Sequence, residues 1–290
     1  MRAIRYVCSK NAPHMRTILI AGALLASVNA LTQTPQKIAV SRTFGNPGQV
    51  GLFMASSDGS NETPLLPSGN SDYDPAWAPD GSFIVFTSDR AGSAELFLVK
   101  PDGTGLVQLT KDPAYDDQAA ISPDSRQLVF VSTRGGGTST LWIMNIATHE
   151  FRRLTSGNGG DYRPSWSPDG KWIAFSSSRR HSAPFAHGRW ERVQLADLYI
   201  IHPDQSGMKK VSDRDGFCGS PKWMPDSRHL LSYCMSAEDT VATRPQNPDP
   251  GHDTKLVSVD IETGASVDLP AGPGVKINPS PLPGNDVAGH

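Results

Sequence analysis

The chain has 290 residues, of which 37% are hydrophobic and 19% are charged, and its formal net charge is −2. A nearly neutral chain without runs of basic residues lacks the electrostatic footprint of a nucleic-acid-binding protein. A chain of this length can bury a large core as one domain.

Residues 1–30 have the pattern of a secretory signal peptide. Four basic residues and no acidic one precede an apolar run over residues 17–28, and Val28-Asn29-Ala30 suits cleavage. The run is too short to span a membrane. Removing Arg2, Arg5, Lys10 and Arg16 from 27 basic residues leaves 23 against 29 acidic ones, a net charge of about −6. We expect a secreted protein, extracellular or, in a Gram-negative bacterium, periplasmic, with Met1 or Met15 as the start.

One segment recurs along the chain. Its clearest copy, Asp-Tyr-Arg-Pro-Ser-Trp-Ser-Pro-Asp-Gly, starts at Asp161, and others start near residues 72, 116 and 218, with a fragment at 279–285. The tryptophan position falls at Trp77, Ile121, Trp166, Trp223 and Pro281, at spacings of 44, 45, 57 and 58 residues. Such periods indicate a repeat architecture. We assign Trp77, Trp166 and Trp223 to the core.

Each copy predicts a β-hairpin, because Pro followed by Asp and Gly or Ser suits a tight turn between two strands. Two further short strands follow, so each repeat predicts a four-stranded antiparallel sheet. Residues 37–66 give a first sheet that lacks its opening strand. The sequence therefore predicts an all-β protein, one β-propeller over residues 31–290. We expect five blades, closed by pairing of the fragment at 279–285 with the first sheet, and six blades as the alternative.

The repeat resembles that of TolB-type propellers, whose signature is a leading Asp, Pro-x-Trp, Ser-Pro-Asp-Gly, an apolar strand and Ser-x-Arg. Residues 77–90 and 166–179 match it, and residues 121–134 match it without the Trp. The resemblance covers nearly all of residues 37–285 and implies the fold. Related repeats occur in periplasmic binding scaffolds, in propellers of prolyl-oligopeptidase-like peptidases and in oligogalacturonate lyases, so it leaves the activity open. Without a Gly-x-Ser-x-Gly elbow, we expect no peptidase of that kind.

Two insertions, residues 179–192 and 236–254, distinguish the later repeats, and both lie between the second and third strands. We call the end of the sheets that carries them the insertion-bearing face. The acids and arginines of the repeat should gather there, either as structural ion pairs or as a polar funnel for a ligand. The candidate ligand-binding residues are Asp72, Asp116, Asp161, Arg90, Arg134, Trp190, Arg192 and His252.

The leading functional hypothesis is a monomeric binding module for an extracellular protein or saccharide, without a cofactor, a membrane span or nucleic acid. The alternative is a lyase, hydrolase or isomerase acting on a carbohydrate or small metabolite. Its candidate acid, base and charge clamp are His181, His187, Glu191 and Arg179, with a divalent cation as the candidate cofactor. The histidine spacing matches no metal motif, so no metal ligands are predicted.

Two cysteines remain after the predicted cleavage. Cys218 and Cys234 lie eight residues either side of Asp226, the centre of their hairpin turn, and should face each other across paired strands. We predict a disulfide, which suits an oxidising compartment. Asn61-Glu62-Thr63 is a glycosylation sequon, which makes Asn61 a candidate acceptor in a eukaryotic source.

Overall fold

The structure, a computed structural model, describes residues 37–43, 50–67, 69–136, 138–181, 195–212, 214–242 and 254–270. These residues form five successive antiparallel sheets, and within each sheet the strands follow one another in chain order. In its described part, the first sheet comprises β1 (Lys37–Thr43), β2 (Val50–Ser56) and β3 (Thr63–Pro64). The predicted signal peptide lies outside the described residues.

The next four sheets each have four strands. The second sheet comprises β4 (Asp72–Trp77), β5 (Ile84–Ser88), β6 (Glu95–Val99) and β7 (Val107–Gln108). The third sheet comprises β8 (Asp116–Ile121), β9 (Gln127–Ser132), β10 (Thr140–Asn145) and β11 (Phe151–Arg153). The fourth sheet comprises β12 (Asp161–Trp166), β13 (Ile173–Ser177), β14 (Asp197–Ile201) and β15 (Lys209–Lys210). The fifth sheet comprises β16 (Gly216–Trp223), β17 (His229–Ser236), β18 (Lys255–Asp260) and β19 (Ser266–Asp268). The predicted all-β architecture of four-stranded antiparallel sheets is confirmed.

The Pro-Asp turns join the first two strands of each repeat as predicted. In the second sheet, Gly81 N donates to Ala78 O at 2.8 Å, and the Asp80 carboxylate accepts from Ser82 N at 2.9 Å. Gly81 has a φ of 72°, a left-handed backbone that glycine adopts without strain. The aspartate thus satisfies its own turn, which explains its recurrence without any role in ligand binding.

Four apolar clusters fill the spaces between successive sheets. Phe86, Phe130 and Phe175 occupy equivalent positions on the second strands, and each is fully buried. Burying a phenylalanine side chain stabilises a fold by about 1.5–3 kcal/mol. Each pair of successive sheets therefore shares an apolar cluster, and the repeat cannot form its core alone.

The tryptophans tie neighbouring sheets together. Trp166 Nε1 donates to Ala120 O and Trp223 Nε1 donates to Ser165 O, each at 3.1 Å. In both cases the acceptor lies on the first strand of the preceding sheet. Trp77 packs against the cluster between the first two sheets, but its buried Nε1 has no acceptor among the described residues. The predicted core role of all three tryptophans is confirmed.

The three strands of the first sheet correspond to the second, third and fourth strands of the other sheets. Both β2 and β6 lead into an Asp-Gly turn, so β2 is the equivalent of β6. The cross-strand pair Ile38 and Ala55 in the first sheet is then equivalent to the pair Ile84 and Val99 in the second sheet. The inner edge of β1 therefore has no first strand among the described residues. The fragment at 279–285, predicted to supply it, lies outside the described part of the chain.

The second insertion contains a short helix, α1 (Ala237–Ala242), that the sequence analysis did not predict. Ser236 Oγ accepts from Asp239 N at 3.0 Å and donates to Asp239 Oδ2 at 2.7 Å, which caps the helix N-terminus. Within the described residues, no helix is long and apolar enough to cross a membrane.

Candidate functional site

Three sheets carry the same buried Asp–Ser–Arg set at the insertion-bearing face. In the fourth sheet, Arg179 Nη2 donates to both carboxylate oxygens of Asp161, at 2.8 and 2.9 Å. Ser177 Oγ donates to Asp161 Oδ1 at 2.6 Å and accepts from Arg179 Nε at 2.9 Å. The other two sets are Asp72, Ser88 and Arg90, and Asp116, Ser132 and Arg134. Strand register places the serine next to the aspartate, since each aspartate is the cross-strand partner of the serine sixteen residues later.

Aromatic rings complete these sets. Arg179 lies over the rings of Phe175 and Tyr199, with its guanidinium carbon 5.6 and 5.0 Å from the centroids. Arg90 and Arg134 lie over aromatic rings of their own sheets in the same way. A guanidinium that is stacked and paired is held in one orientation. These contacts favour the structural interpretation of the repeated acids and arginines.

Burial dominates the electrostatics of two of these carboxyls. Loss of hydration raises the pKa of Asp116 to about 6, against the lowering effects of Ser132 and Arg134. Loss of hydration also raises the pKa of Asp161, opposed chiefly by Arg179. Because each of these carboxyls is paired with the arginine of its own set, they serve as links between strands.

In the fifth sheet, a disulfide occupies the position of the Asp–Ser pair. Cys218 and Cys234 are register partners on β16 and β17, with Cα atoms 4.2 Å apart, and their sulfurs are bonded. Ser236 stands where the arginine stands in the other sheets. The predicted disulfide is present, and it replaces the ion pair as the link between the first two strands.

The first strands share a second feature, a bulge two residues after the leading position. The register shifts there in all four strands. The residue at the bulge has a left-handed backbone although it is not glycine: φ is 48° at Asp74, 55° at Gln118, 52° at Arg163 and 48° at Ser220. Such backbone costs about 1–3 kcal/mol for a non-glycine residue and is concentrated at functional sites.

The bulges bring side chains of different sheets together. Arg163 Nη1 lies 3.0 Å from Asp74 Oδ2, although β12 and β4 belong to sheets that are not neighbours in the chain. Gln118 Oε1 accepts from Arg163 N at 2.8 Å. Asp117 accepts from Thr87 Oγ1 at 2.8 Å. First strands of successive sheets are themselves in contact, so their bulges converge. We call Asp74, Asp117, Gln118, Arg163 and Lys222 the axial set.

The axial set contains charges of both signs, and partial burial shifts the pKa of two of its members. Loss of hydration, and then the charge of Asp74, raise the pKa of Asp117 to about 6. Loss of hydration, and then the charge of Arg163, lower the pKa of Lys222, while Asp74 raises it. The side chains of Arg163 and Asp74 are 33% and 31% exposed, so solvent reaches the set. Unlike the Asp–Ser–Arg sets, it is open to a ligand.

Of the four residues predicted as an acid–base site, the structure describes His181 and Arg179. His181 Nε2 lies 3.3 Å from Asp197 Oδ2, and Lys210 Nζ lies 2.8 Å from Asp197 Oδ1. Arg179 belongs to its buried set. The residues His187, Trp190, Glu191, Arg192 and His252 lie outside the described part of the chain. Among the residues that are described, no three His, Cys, Asp or Glu side chains are placed to hold a metal ion.

Sequence reasoning missed the axial set. One signal was present in the sequence. The residue two positions after each leading position varies between repeats, whereas the residue after it is always Pro or Ala; the variable residues are Asp74, Gln118, Arg163 and Ser220. A variable polar residue inside a constant strand is typical of a site rather than of packing. Asn61, the candidate glycosylation site, lies on an exposed turn, as expected.

Comparison with known proteins gives similar repeats and a similar fold. Residues 116–185 match the TolB beta propeller domain family. A stretch of 94 residues is 31% identical to an uncharacterised peptidase, YuxL, of Bacillus subtilis, and it covers 32% of this chain and 12% of that protein. A stretch of 82 residues is 30% identical to the Tol-Pal system protein TolB of Alcanivorax borkumensis, and it covers 28% of this chain and 16% of that protein. The matches thus span a small part of these curated relatives.

The crystal structure of TolB from Acinetobacter baumannii superposes on this chain with a TM-score of 0.64 at 20% identity. The superposition covers 85% of this chain and 55% of that one. At such identity the likeness establishes the fold and not the activity. The sheets, the matched family segment and this superposition together identify the fold of the chain as a TolB-type β-propeller.

Proposed function

We propose that the chain is a secreted, monomeric binding module that holds a protein or saccharide ligand over the axial set, at the insertion-bearing face. The observation that carries the proposal is the meeting of Asp74 and Arg163 at 3.0 Å from non-neighbouring sheets, on strained backbone and with a third of each side chain exposed. Left-handed backbone at non-glycine residues is concentrated at functional sites, and this supports a functional role.

The Asp–Ser–Arg sets support the same proposal because their charged groups are already paired with one another and are not available to a ligand. Each buried carboxylate of these sets is paired within its own sheet, so we assign Asp72, Asp116 and Asp161, with Arg90 and Arg134, to shaping the face rather than contacting the ligand. The predicted contacts of Trp190, Arg192 and His252 from the insertions remain part of the proposal. The signal-like segment and the disulfide support a secreted protein, because disulfides persist in oxidising compartments.

A pair-deletion experiment tests the binding function. The variant Asp74→Asn with Arg163→Gln removes both axial charges without leaving one unpaired. The matched control, Asp260→Asn with Arg228→Gln, removes an ion pair of 2.7 Å at the opposite end of the fifth sheet. We expect the immobilised wild type and control to capture the same partner from the native extracellular fraction, and the axial variant to lose it. Equal capture by all three proteins would refute the proposal.

The enzyme alternative rests on His181. A buried carboxylate close to an imidazole is an arrangement used in acid–base catalysis. Asp197 is 2% exposed and lies 3.3 Å from His181 Nε2. If the chain turns over a carbohydrate, with or without a divalent cation, His181→Gln should abolish turnover without loss of folding. Unchanged turnover would remove His181 from the mechanism.

We also propose that five blades close through residues 276–281, which would form the missing first strand. The fourth strand of each repeat is followed by the next leading position at a constant distance: Thr110 and Asp116, Thr155 and Asp161, and Ser212 and Cys218 are each six positions apart, as are Pro270 and Lys276. The sequence then matches the repeat: Asn278-Pro279-Ser280 stands where Arg163-Pro164-Ser165 stands, and asparagine tolerates the left-handed backbone of the bulge.

Trp77 gives independent support for this closure. Its buried Nε1 lacks an acceptor among the described residues, while Trp166 and Trp223 donate to the fourth residue after the leading position of the preceding sheet. Ser280 has that position in residues 276–281. A chain ending at residue 270 should melt about 10 °C or more below the full chain. At this size, each 1 kcal/mol lost from the free energy of unfolding lowers the melting temperature by about 2–4 °C. A chain ending at 285 is the control, and an unchanged melting temperature at 270 would exclude the closure.

A further inference from the structure

We propose that Met208 is a site of reversible oxidation by peroxides, and that Arg179 binds the oxygen of the resulting methionine sulfoxide. Met208 directly precedes β15, the last strand of the fourth sheet, whereas the axial set lies on first strands. The modification site is therefore separate from the proposed ligand site.

An apolar residue with an exposed side chain recurs at one position in the second, third and fourth sheets. Each member precedes the residue that pairs with the fourth residue of the third strand; the members are Leu106, Phe151 and Met208. They are 42%, 50% and 46% exposed. In two of the sheets this residue contacts the arginine of the Asp–Ser–Arg set. The ring centroid of Phe151 lies 4.5 Å from the guanidinium carbon of Arg134, and Arg179 Nη1 donates to Met208 Sδ at 3.0 Å.

The fifth sheet supports a link between this residue and the arginine. It has Ser236 at the arginine position, and it has Ser266 at the equivalent position of the fourth strand. From the second sheet to the fifth, the apolar residue thus occurs together with the arginine. A guanidinium is more weakly hydrated than an ammonium, so an apolar neighbour suits it. This explains why an apolar side chain occupies an exposed position.

Met208 differs from its equivalents because a thioether can be oxidised. Of the methionines that the structure describes, Met208 is the most exposed: Met54 and Met144 are 7% and 1% exposed, and Met224 and Met235 are half-buried. A hydroperoxide transfers one oxygen atom to the sulfur. The thioether is oxidised by two electrons to the sulfoxide, and the peroxide is reduced to water or an alcohol. The access of solvent to the sulfur predicts that Met208 reacts first.

Arg179 is placed to bind the sulfoxide oxygen. Its Nη2 and Nε donate to Asp161 and Ser177, whereas its Nη1 donates to Met208 Sδ. A thioether sulfur is a weak acceptor, and a sulfoxide oxygen accepts more strongly because the S–O bond is polar. A hydrogen bond from a charged donor is stronger than one between neutral groups. Oxidation therefore gives Nη1 a better acceptor and leaves the Asp–Ser–Arg set intact.

Timed oxidation of the folded full chain with hydrogen peroxide, followed by peptide mass spectrometry, tests the site. We expect the sulfoxide to form at Met208 at least about fivefold faster than at Met224 or Met235. Methionine sulfoxide reductases A and B should then restore the original mass. Met208→Leu, which has the side chain of the second sheet at this position, is the matched control and should lose the fast reaction. Equal rates at the three methionines, or a sulfoxide that the reductases leave in place, would overturn the proposal.

Melting temperatures before and after this oxidation test the role of Arg179. The oxidised wild type should melt within about 2 °C of the reduced protein, because Nη1 keeps an acceptor. The double variant Asp161→Leu with Arg179→Leu lacks the donor without leaving an unpaired charge. Oxidation should lower the melting temperature of this variant by about 2–4 °C more than that of the wild type. Met208→Leu treated in the same way gives the contribution of the other methionines. An equal change in the wild type and the double variant would refute the binding of the oxygen by Arg179.

Discussion

The variant Asp161→Ala removes the carboxylate from the Asp–Ser–Arg set of the fourth sheet. The side chain of Asp161 is 1% exposed and that of Arg179 is 14% exposed, so the substitution leaves a guanidinium that water barely reaches. It also deprives Ser177 Oγ of an acceptor at 2.6 Å. Breaking a buried ion pair on one side costs about 3–5 kcal/mol, and we expect a loss in this range.

Urea denaturation followed by tryptophan fluorescence measures that loss as a lower midpoint at an unchanged slope. Asp161→Asn should cost less, because the amide oxygen still accepts from Ser177 and Arg179. The double variant Asp161→Leu with Arg179→Met should cost less than the sum of its single changes, since it leaves no unpaired charge.

An exposed ion pair provides the control. Arg42 and Glu62 are paired with side chains 61% and 34% exposed, and Glu62→Ala should cost less than about 1 kcal/mol. If Asp161→Ala also cost less than about 1 kcal/mol, or if the double variant were additive, the structural role assigned to these sets would be wrong.

Two further predictions concern the same links between strands. Replacing Cys218 and Cys234 by Ser should lower the free energy of unfolding by about 3 kcal/mol, since the bridge closes a loop of 16 residues; mass spectrometry of the unreduced wild type should find no free thiol at either position, and two free thiols would contradict the structure. The pKa of Asp116 is raised to about 6 in the folded protein from 3.8, so the folded state binds the proton more readily and this carboxyl adds stability as the pH falls. Between pH 7 and pH 5 the wild type should gain about 1 kcal/mol relative to Asp116→Asn in urea denaturation, and a gain on raising the pH would contradict the assignment.

Much of the fold could be predicted from the sequence because its determinants are local. The Pro-Asp turns fix each hairpin within a few residues, and the symmetric placement of Cys218 and Cys234 about Asp226 predicts their pairing. The leading acids and the arginines could be predicted to share a face. Their pairing within one sheet follows from register, since the serine lies opposite the acid and the arginine two residues beyond it.

The axial set could not be predicted in the same way. Asp74 and Arg163 are 89 residues apart and lie on sheets that are not neighbours, so their contact depends on how successive sheets pack. The bulge that exposes these side chains is a departure from regular pairing, and no glycine marks it. The helix at Ala237–Ala242 was missed because its capping residue, Ser236, also ends a strand.

The measurement that tests the central claim most directly is amine labelling of the protein with and without the native extracellular fraction. Mass spectrometry then compares the acetylation of Lys222 with that of Lys171 at the opposite end. Binding over the axial set predicts that acetylation of Lys222 falls while that of Lys171 is unchanged. A captured partner that leaves Lys222 as reactive as in the free protein would contradict the account.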